Sequence, residues 1–230
     1  MKKVKISLIL NMLIVILVIV NTIFMFTGFK FMPEKMVLEV TKVEMFKFFT
    51  VDSNILVGII SLILIFYEIR LIKNKINRIP NNIYILKLIG VSAIFLTFIV
   101  TLLFLAPQFG FYAMYNNSNL FYHLFIPILT FISYMFYEPH EPKYKYAVYG
   151  MIPMFLYSVY YIFMVIFHLN DGGLTYKYDF YGFLKGNINN IYIVIPLIYF
   201  ISYIISISMI FIKNKLRKEL INEKQGGTIK

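Results

Sequence analysis

The 230-residue chain contains no cysteine, which excludes disulfide frameworks, thiol nucleophiles and cysteine-ligated zinc or iron–sulfur sites together. Any covalent chemistry must run through oxygen or nitrogen. Charge is also scarce: 14% of residues are charged, and the 11 acidic residues are outnumbered by 22 basic ones. With 60% of the chain hydrophobic and 19% aromatic, a soluble domain of this size could not hide its apolar surface. The class that survives uses lipid as its solvent. A net charge of +11 would point to nucleic acid in a soluble protein. Here the basic residues lie between long apolar runs, the pattern of topology signals and of contact with anionic lipid, so nucleic acid is not an expected partner. The chain also lacks an internal repeat, a low-complexity linker and a polar insert large enough to bury a core of its own. A single domain over 1–230 is expected.

Six apolar runs are present, at 6–27, 48–69, 83–106, 120–137, 147–169 and 191–212, each close to the roughly 20 residues that cross a bilayer as a helix. The predicted fold class is all-α, a polytopic bundle of six transmembrane helices. The first run is longer than a signal-peptide core and no small-residue cleavage site follows it, so it reads as an uncleaved span. If the N-terminus is cytoplasmic, sixteen Lys and Arg fall inside and six outside. That asymmetry favours a multi-pass protein of the cell (plasma) membrane with both termini cytoplasmic, and with 213–230 as a short basic cytoplasmic tail. Lys87 and Lys213 are counted among those cytoplasmic charges. In the mixed-charge 28–47 connector, Met36, Val40, Val43 and Phe46 recur at helical spacing, as in an amphipathic helix lying on the membrane surface.

Polar groups inside apolar helices are costly and mark candidate sites. The stretch FKFFTVDSN at 46–54 places Thr50, Asp52, Ser53 and Asn54 at the mouth of the second span. Thr50, Ser53, Asn54, Val57, Gly58 and Ser61 fall on one helical face that should pack inward, whereas Asp52 points elsewhere. The fourth span enters from the same side, which puts His123 within one helical turn, about 5.4 Å, of the depth of Thr50. Pro127 has no N–H for the His123 carbonyl and should kink the helix. His168 at the end of the fifth span, and Asp171, Asp179 and Tyr181 in the following loop, gather at the same end, where the loop could form a lid.

A threonine hydroxyl is a weak nucleophile until a base takes its proton, and a neutral imidazole within reach can do so. Thr50 and His123 are therefore the predicted catalytic pair. Asn54 or a freed backbone group is the predicted oxyanion donor; Ser53, Asp52, His168, Asp179 and Tyr181 are further candidates around the substrate. Asp52, Asp171 and Asp179 are candidate acid partners for His123. The same residues also admit a structural reading, with Thr50 capping the helix and Ser53 and Asn54 bonding to neighbouring helices. Two other function classes use them as well. One is a transporter or sensor that binds a small ligand in a polar cavity; the other is a haem protein with His123 and His168 as axial ligands. The leading reading needs no metal and no cofactor.

The motifs FKFFTVDSNILVG (46–58) and NLFYHLFIPIL (119–129), with weaker support from YGFL (181–184), resemble in order and spacing the bacterial Pr6Pr-type membrane proteins. More distantly they are similar to the eukaryotic androgen-induced (FAR-17a-like) integral membrane hydrolases. The resemblance covers most of the chain. It implies hydrolysis of fatty acid esters of hydroxy fatty acids by a threonine and a histidine, which map onto Thr50 and His123. It also implies a lipid or fatty-acyl ester substrate met in the lipid bilayer. The chain departs from the pattern at Asp52-Ser53-Asn54, where the eukaryotic proteins carry the acidic residue one position later. Gly182 stands where the loop element has proline. Strong isoleucine, asparagine and lysine usage fits an AT-rich bacterial genome.

Overall fold

The computed structural model describes residues 1–32, 40–171, 174–175 and 177–226, without the side chains of 220–226. Every regular element among these residues is helical. Among the described residues six helices are long and apolar enough to cross a membrane: α1 (Lys2–Thr27), α2 (Phe49–Ile72), α3 (Asn81–Phe109), α4 (Ser118–Tyr137), α5 (Tyr144–Phe167) and α6 (Ile188–Glu219). The protein is an all-α, six-span, multi-pass membrane protein, and Ile9, Leu62, Phe104, Leu156 and Phe200 are among the large apolar side chains left on its outer surface for lipid.

The buried residues of α1 are Val4, Ser7, Asn11, Ile14, Val18, Asn21 and Met25. Their alternating spacing of three and four is that of a coiled-coil seam. The seam packs on α2, whose buried stripe includes Ser53, Asn54, Val57, Gly58, Ser61, Leu64 and Glu68. A Cβ on Gly58 would lie 2.9 Å from Val18, so the missing side chain is what lets the two backbones approach, as small residues do between membrane helices. Gly150, near the start of α5, is tighter still. A Cβ there would lie 2.6 Å from Cβ of Ser206 on α6 and 2.7 Å from Oγ of Ser92 on α3. The Ser206 Cβ is fixed to its backbone and cannot rotate away, so Gly150→Ala must push helices apart. It is expected to destabilise by about 1–3 kcal/mol, the usual cost of overpacking, read as a lower thermal unfolding midpoint of the detergent-solubilised protein. An unchanged midpoint would refute this tight three-helix crossing.

Two prolines shape the bundle near Thr50. Pro107 and Pro127 follow π-helical turns at Thr101–Leu105 in α3 and Phe121–Phe125 in α4. Each proline offers no N–H to the carbonyl four residues earlier, Leu103 and His123 respectively, and its ring crowds that carbonyl, so the turn widens. The kink expected at Pro127 takes this form.

At the opposite end the bundle buries charge. Lys87 Nζ donates to Oδ1 of Asn11 (2.6 Å) and Oγ of Ser61 (3.2 Å) and lies 3.5 Å from Oε1 of Glu138. Asn11 Nδ2 donates to the Glu68 carboxylate and to Ser7 Oγ, each at 3.3 Å. Ser133 Oγ donates to Oε1 of Glu138 (3.2 Å). Lys213 Nζ donates to the carbonyls of Tyr134 and Glu138 and sits 4.2 Å from the centre of the Tyr134 ring. The side chains of Lys87, Lys213, Glu68 and Glu138 are all buried, and the groups of this network come from five of the six spans. Lys87 and Lys213 are therefore not solvated topology charges, which corrects the sequence reading. Beyond α4, His140 stacks on Tyr84 with ring centres 4.3 Å apart. Burial, with help from Lys213 and Arg217, pushes its imidazole down to about 2, so it stays neutral.

The structure also describes parts of the 213–230 and 28–47 segments. The stretch from Lys213 is helical, since helix continues beyond the apolar span as far as Gly226; residues 227–230 lie outside the described residues. The described part of the 28–47 connector forms a 3₁₀ turn, Lys42–Lys47, that buries Met45 and leaves Val43 72% exposed. It does not follow the predicted amphipathic face, and Met36 lies outside the described residues.

Candidate functional site

The site is built around the start of α2. Phe48 precedes the helix in an extended conformation and has no side-chain group to cap it, so the first N–H groups must find partners elsewhere. The Tyr181 hydroxyl supplies one: it accepts from Phe49 N–H at 3.0 Å and also meets Thr50 N–H. Beside it, Tyr157 Oη donates to the Lys47 carbonyl at 2.6 Å. Thr50 is therefore not the cap that the structural reading made it. Burial pushes the Tyr181 phenol up to about 12, and it stays neutral.

Tyr181 is held by its own loop. The buried Asp179 carboxylate accepts from the Tyr161 hydroxyl and from Leu184 N–H (3.0 Å), closing the turn between them. Gly182 has φ +65°, a region open to glycine and closed to proline, whose ring fixes φ near −65°. The turn at Gly182 is thus one that proline could not make.

Thr50 is half-buried and lines two small cavities. One, of about 30 Å³, is shared with His123, Asn119, Met25, Leu105 and Tyr181. The other, of about 60 Å³, runs past Thr97, Thr101, Leu105, Tyr157 and Tyr181. His123 is buried in the π turn of α4, and its Nδ1 lies 2.9 Å from the Met114 carbonyl. A carbonyl only accepts, so Nδ1 carries the hydrogen and the neutral ring keeps its lone pair on Nε2. None of the three candidate acid partners is seen bonded to His123 among the described residues: Asp179 is held by Tyr161 and Leu184, Asp171 is exposed in the loop after α5, and Asp52 lines a different cavity. Among the described hydrogen bonds none joins the Thr50 hydroxyl to His123.

Asn54 is not placed as the oxyanion donor expected of it. Its Nδ2 donates to the carbonyls of Thr50 (2.7 Å) and Tyr122 (3.2 Å), which occupies both amide hydrogens. Ser53 Oγ donates to the Thr50 carbonyl (3.1 Å) and lies 3.0 Å from Thr97 Oγ1. Both residues brace α2 against α3 and α4. His168 bonds through Nδ1 to the Met164 carbonyl (2.8 Å) and stacks on Tyr178 at 3.9 Å; it lines none of the three cavities and does not face His123 across one.

Sequence reasoning missed Asn119, which lines the cavity of Thr50 and His123 and buries its amide nitrogen without a hydrogen-bond partner among the described residues. The available signal was the polar run Asn116-Asn117-Ser118-Asn119 between two apolar spans. All four residues are buried. Asn117, at φ +50°, accepts from Phe31 N–H and Met32 N–H, each at 2.8 Å, and Asn21 Nδ2 donates to the Ser118 carbonyl at 3.0 Å. These bonds tie the loop to the end of α1 and so fix Met114 and Asn119 beside His123.

Fold and site together define a six-span membrane protein with a threonine, a histidine and an asparagine around one buried cavity. Comparison with family models, with curated proteins and with solved structures finds no match to this chain.

Proposed function

We propose that the protein is a hydrolase or acyltransferase acting on lipid or fatty-acyl esters, with Thr50 as nucleophile and His123 as general base. The observation that carries this reading is the shared cavity of Thr50 and His123, together with the Met114 carbonyl that leaves Nε2 of His123 as the basic nitrogen. The similarity of 46–58 and 119–129 to the threonine–histidine membrane hydrolases supports it. In the reaction Thr50 Oγ1 attacks the ester carbonyl carbon while its proton passes to His123 Nε2. The C–O bond to the alcohol then breaks, and His123 returns the proton to the leaving oxygen. Water, or a second alcohol in acyl transfer, reverses these roles and frees the acyl chain. Asn119, in place of Asn54, is the donor to the oxyanion.

The bundle is oriented with Thr50 towards the outside of the plasma membrane. With Lys87 and Lys213 assigned to the buried network, fourteen basic residues remain on the cytoplasmic side against six outside, and the asymmetry still holds.

The test is covalent capture. A fluorophosphonate probe added to the protein in native-like membranes is expected to modify Thr50, identified by peptide mass spectrometry, and the adduct should be lost in Thr50→Ala. A protein that turns over fatty-acyl ester equally well with Thr50→Ala overturns the reading. So does one that takes up a small ligand with neither adduct nor turnover, which would place it with transporters or sensors.

A further inference from the structure

The largest of the three cavities is not the one shared by Thr50 and His123. It is a groove of about 370 Å³ between α2 and α5, and its only charged lining residue is Asp52. Phe46, Phe49, Tyr157 and Tyr160 surround the end that holds the carboxylate, and Leu56, Pro153 and Leu156 line the rest. Asp52 accepts no hydrogen bond and forms no ion pair among the described residues. The neighbouring cation, Lys47, is engaged elsewhere, 3.8 Å from Glu44 and over the rings of Phe48 and Phe180. A carboxylate in the first turn of a helix is favoured by the helix dipole, which accounts for Asp52 being on α2. The dipole requires neither the aromatic rings nor the apolar trough.

The groove has direction. Asp52 and Tyr160 stand at the Thr50 end, and Pro153 lies seven residues along α5, about 10 Å deeper in the bundle at 1.5 Å per residue. Leu156 is 63% exposed and Phe46 40% exposed, so the trough opens on the lipid-facing surface. A negative charge among aromatic rings at the membrane boundary recognises an ammonium group, by charge and by the attraction of a cation to aromatic side chains. The apolar trough below it accepts an alkyl chain.

We propose that this groove binds a cationic amphiphile, a long-chain molecule with an ammonium headgroup, which enters from the lipid phase and sets its nitrogen against Asp52. The site is separate from the cavity of Thr50 and His123 and does not rest on the hydrolase reading.

The experiment is a thermal-shift titration of the whole protein in a neutral maltoside detergent. The probe is dodecyltrimethylammonium; dodecyl sulfate and added dodecyl maltoside serve as anionic and neutral chains of the same length. The ammonium amphiphile is expected to raise the unfolding midpoint saturably and the other two are not. Asp52→Asn should need at least tenfold more of it for the same shift. Leu156→Trp, which fills the trough and keeps Asp52, should abolish the shift, and it decides the matter if Asp52→Asn fails to fold. An equal response from Asp52→Asn or from Leu156→Trp, an equal shift with dodecyl sulfate, or no shift with the ammonium amphiphile would overturn the proposal.

Discussion

Lys87→Met is expected to destabilise the protein by about 3–5 kcal/mol, the scale seen when one partner is removed from a buried ion pair. The reason lies in what stays behind. Lys87 is 1% exposed and connects Asn11, Ser61 and Glu138; without it, Glu138 loses its nearest cationic side chain and Asn11 loses the donor to its Oδ1. Lys213 does not substitute, because its described hydrogen bonds go to the carbonyls of Tyr134 and Glu138. A loss of this size is a large part of the 5–15 kcal/mol that holds a typical folded domain together. The variant should therefore aggregate on extraction or melt well below wild type. The double variant Lys87→Met with Glu138→Gln should recover part of the loss, since it removes the stranded carboxylate as well. If the double variant is no more stable than Lys87→Met, the network is not an energetic unit.

His123→Gln is expected to lower ester turnover by roughly 10²–10⁴-fold, the usual contribution of a positioned general base. Glutamine is a useful replacement because its amide can still donate to the Met114 carbonyl, so the bond that orients the side chain survives while the basic nitrogen disappears. Turnover at saturating substrate should fall with little change in the thermal midpoint. Labelling of Thr50 by the fluorophosphonate probe should slow in parallel, since the same proton must leave the hydroxyl. Turnover within twofold of wild type would remove His123 from the reaction. A large fall in the midpoint would make it a structural histidine.

Much of the architecture was legible because it depends on a single property. Six stretches of about 20 apolar residues leave the chain few options in lipid, and the inward stripe of α2 follows from helical spacing alone. The buried charges were not legible for the same reason. Lys87 and Lys213 lie near the ends of apolar runs, where a basic residue ordinarily marks the membrane boundary, and only the fold brings Asn11, Ser61 and Glu138 around Lys87. Helical geometry placed Thr50 and His123 at similar depth; it could not show that Asn54 turns its amide to two carbonyls, or that Asn119 lies beside His123. Those outcomes depend on the π turn before Pro127 and on the loop of asparagines, where backbone dihedrals and side-chain acceptors decide direction and hydropathy carries no information.

The cap on α2 has a mechanical consequence. The backbone that carries Thr50 is held at its start by a phenol 132 residues further along the chain from Phe49. Pulling the Tyr181 loop away would leave the first N–H groups of the helix without that acceptor, and an uncapped terminus frays. Access from the loop side and order at Thr50 therefore oppose each other, and anything that tightens the loop, the turn at Gly182 included, also stiffens the residue it covers.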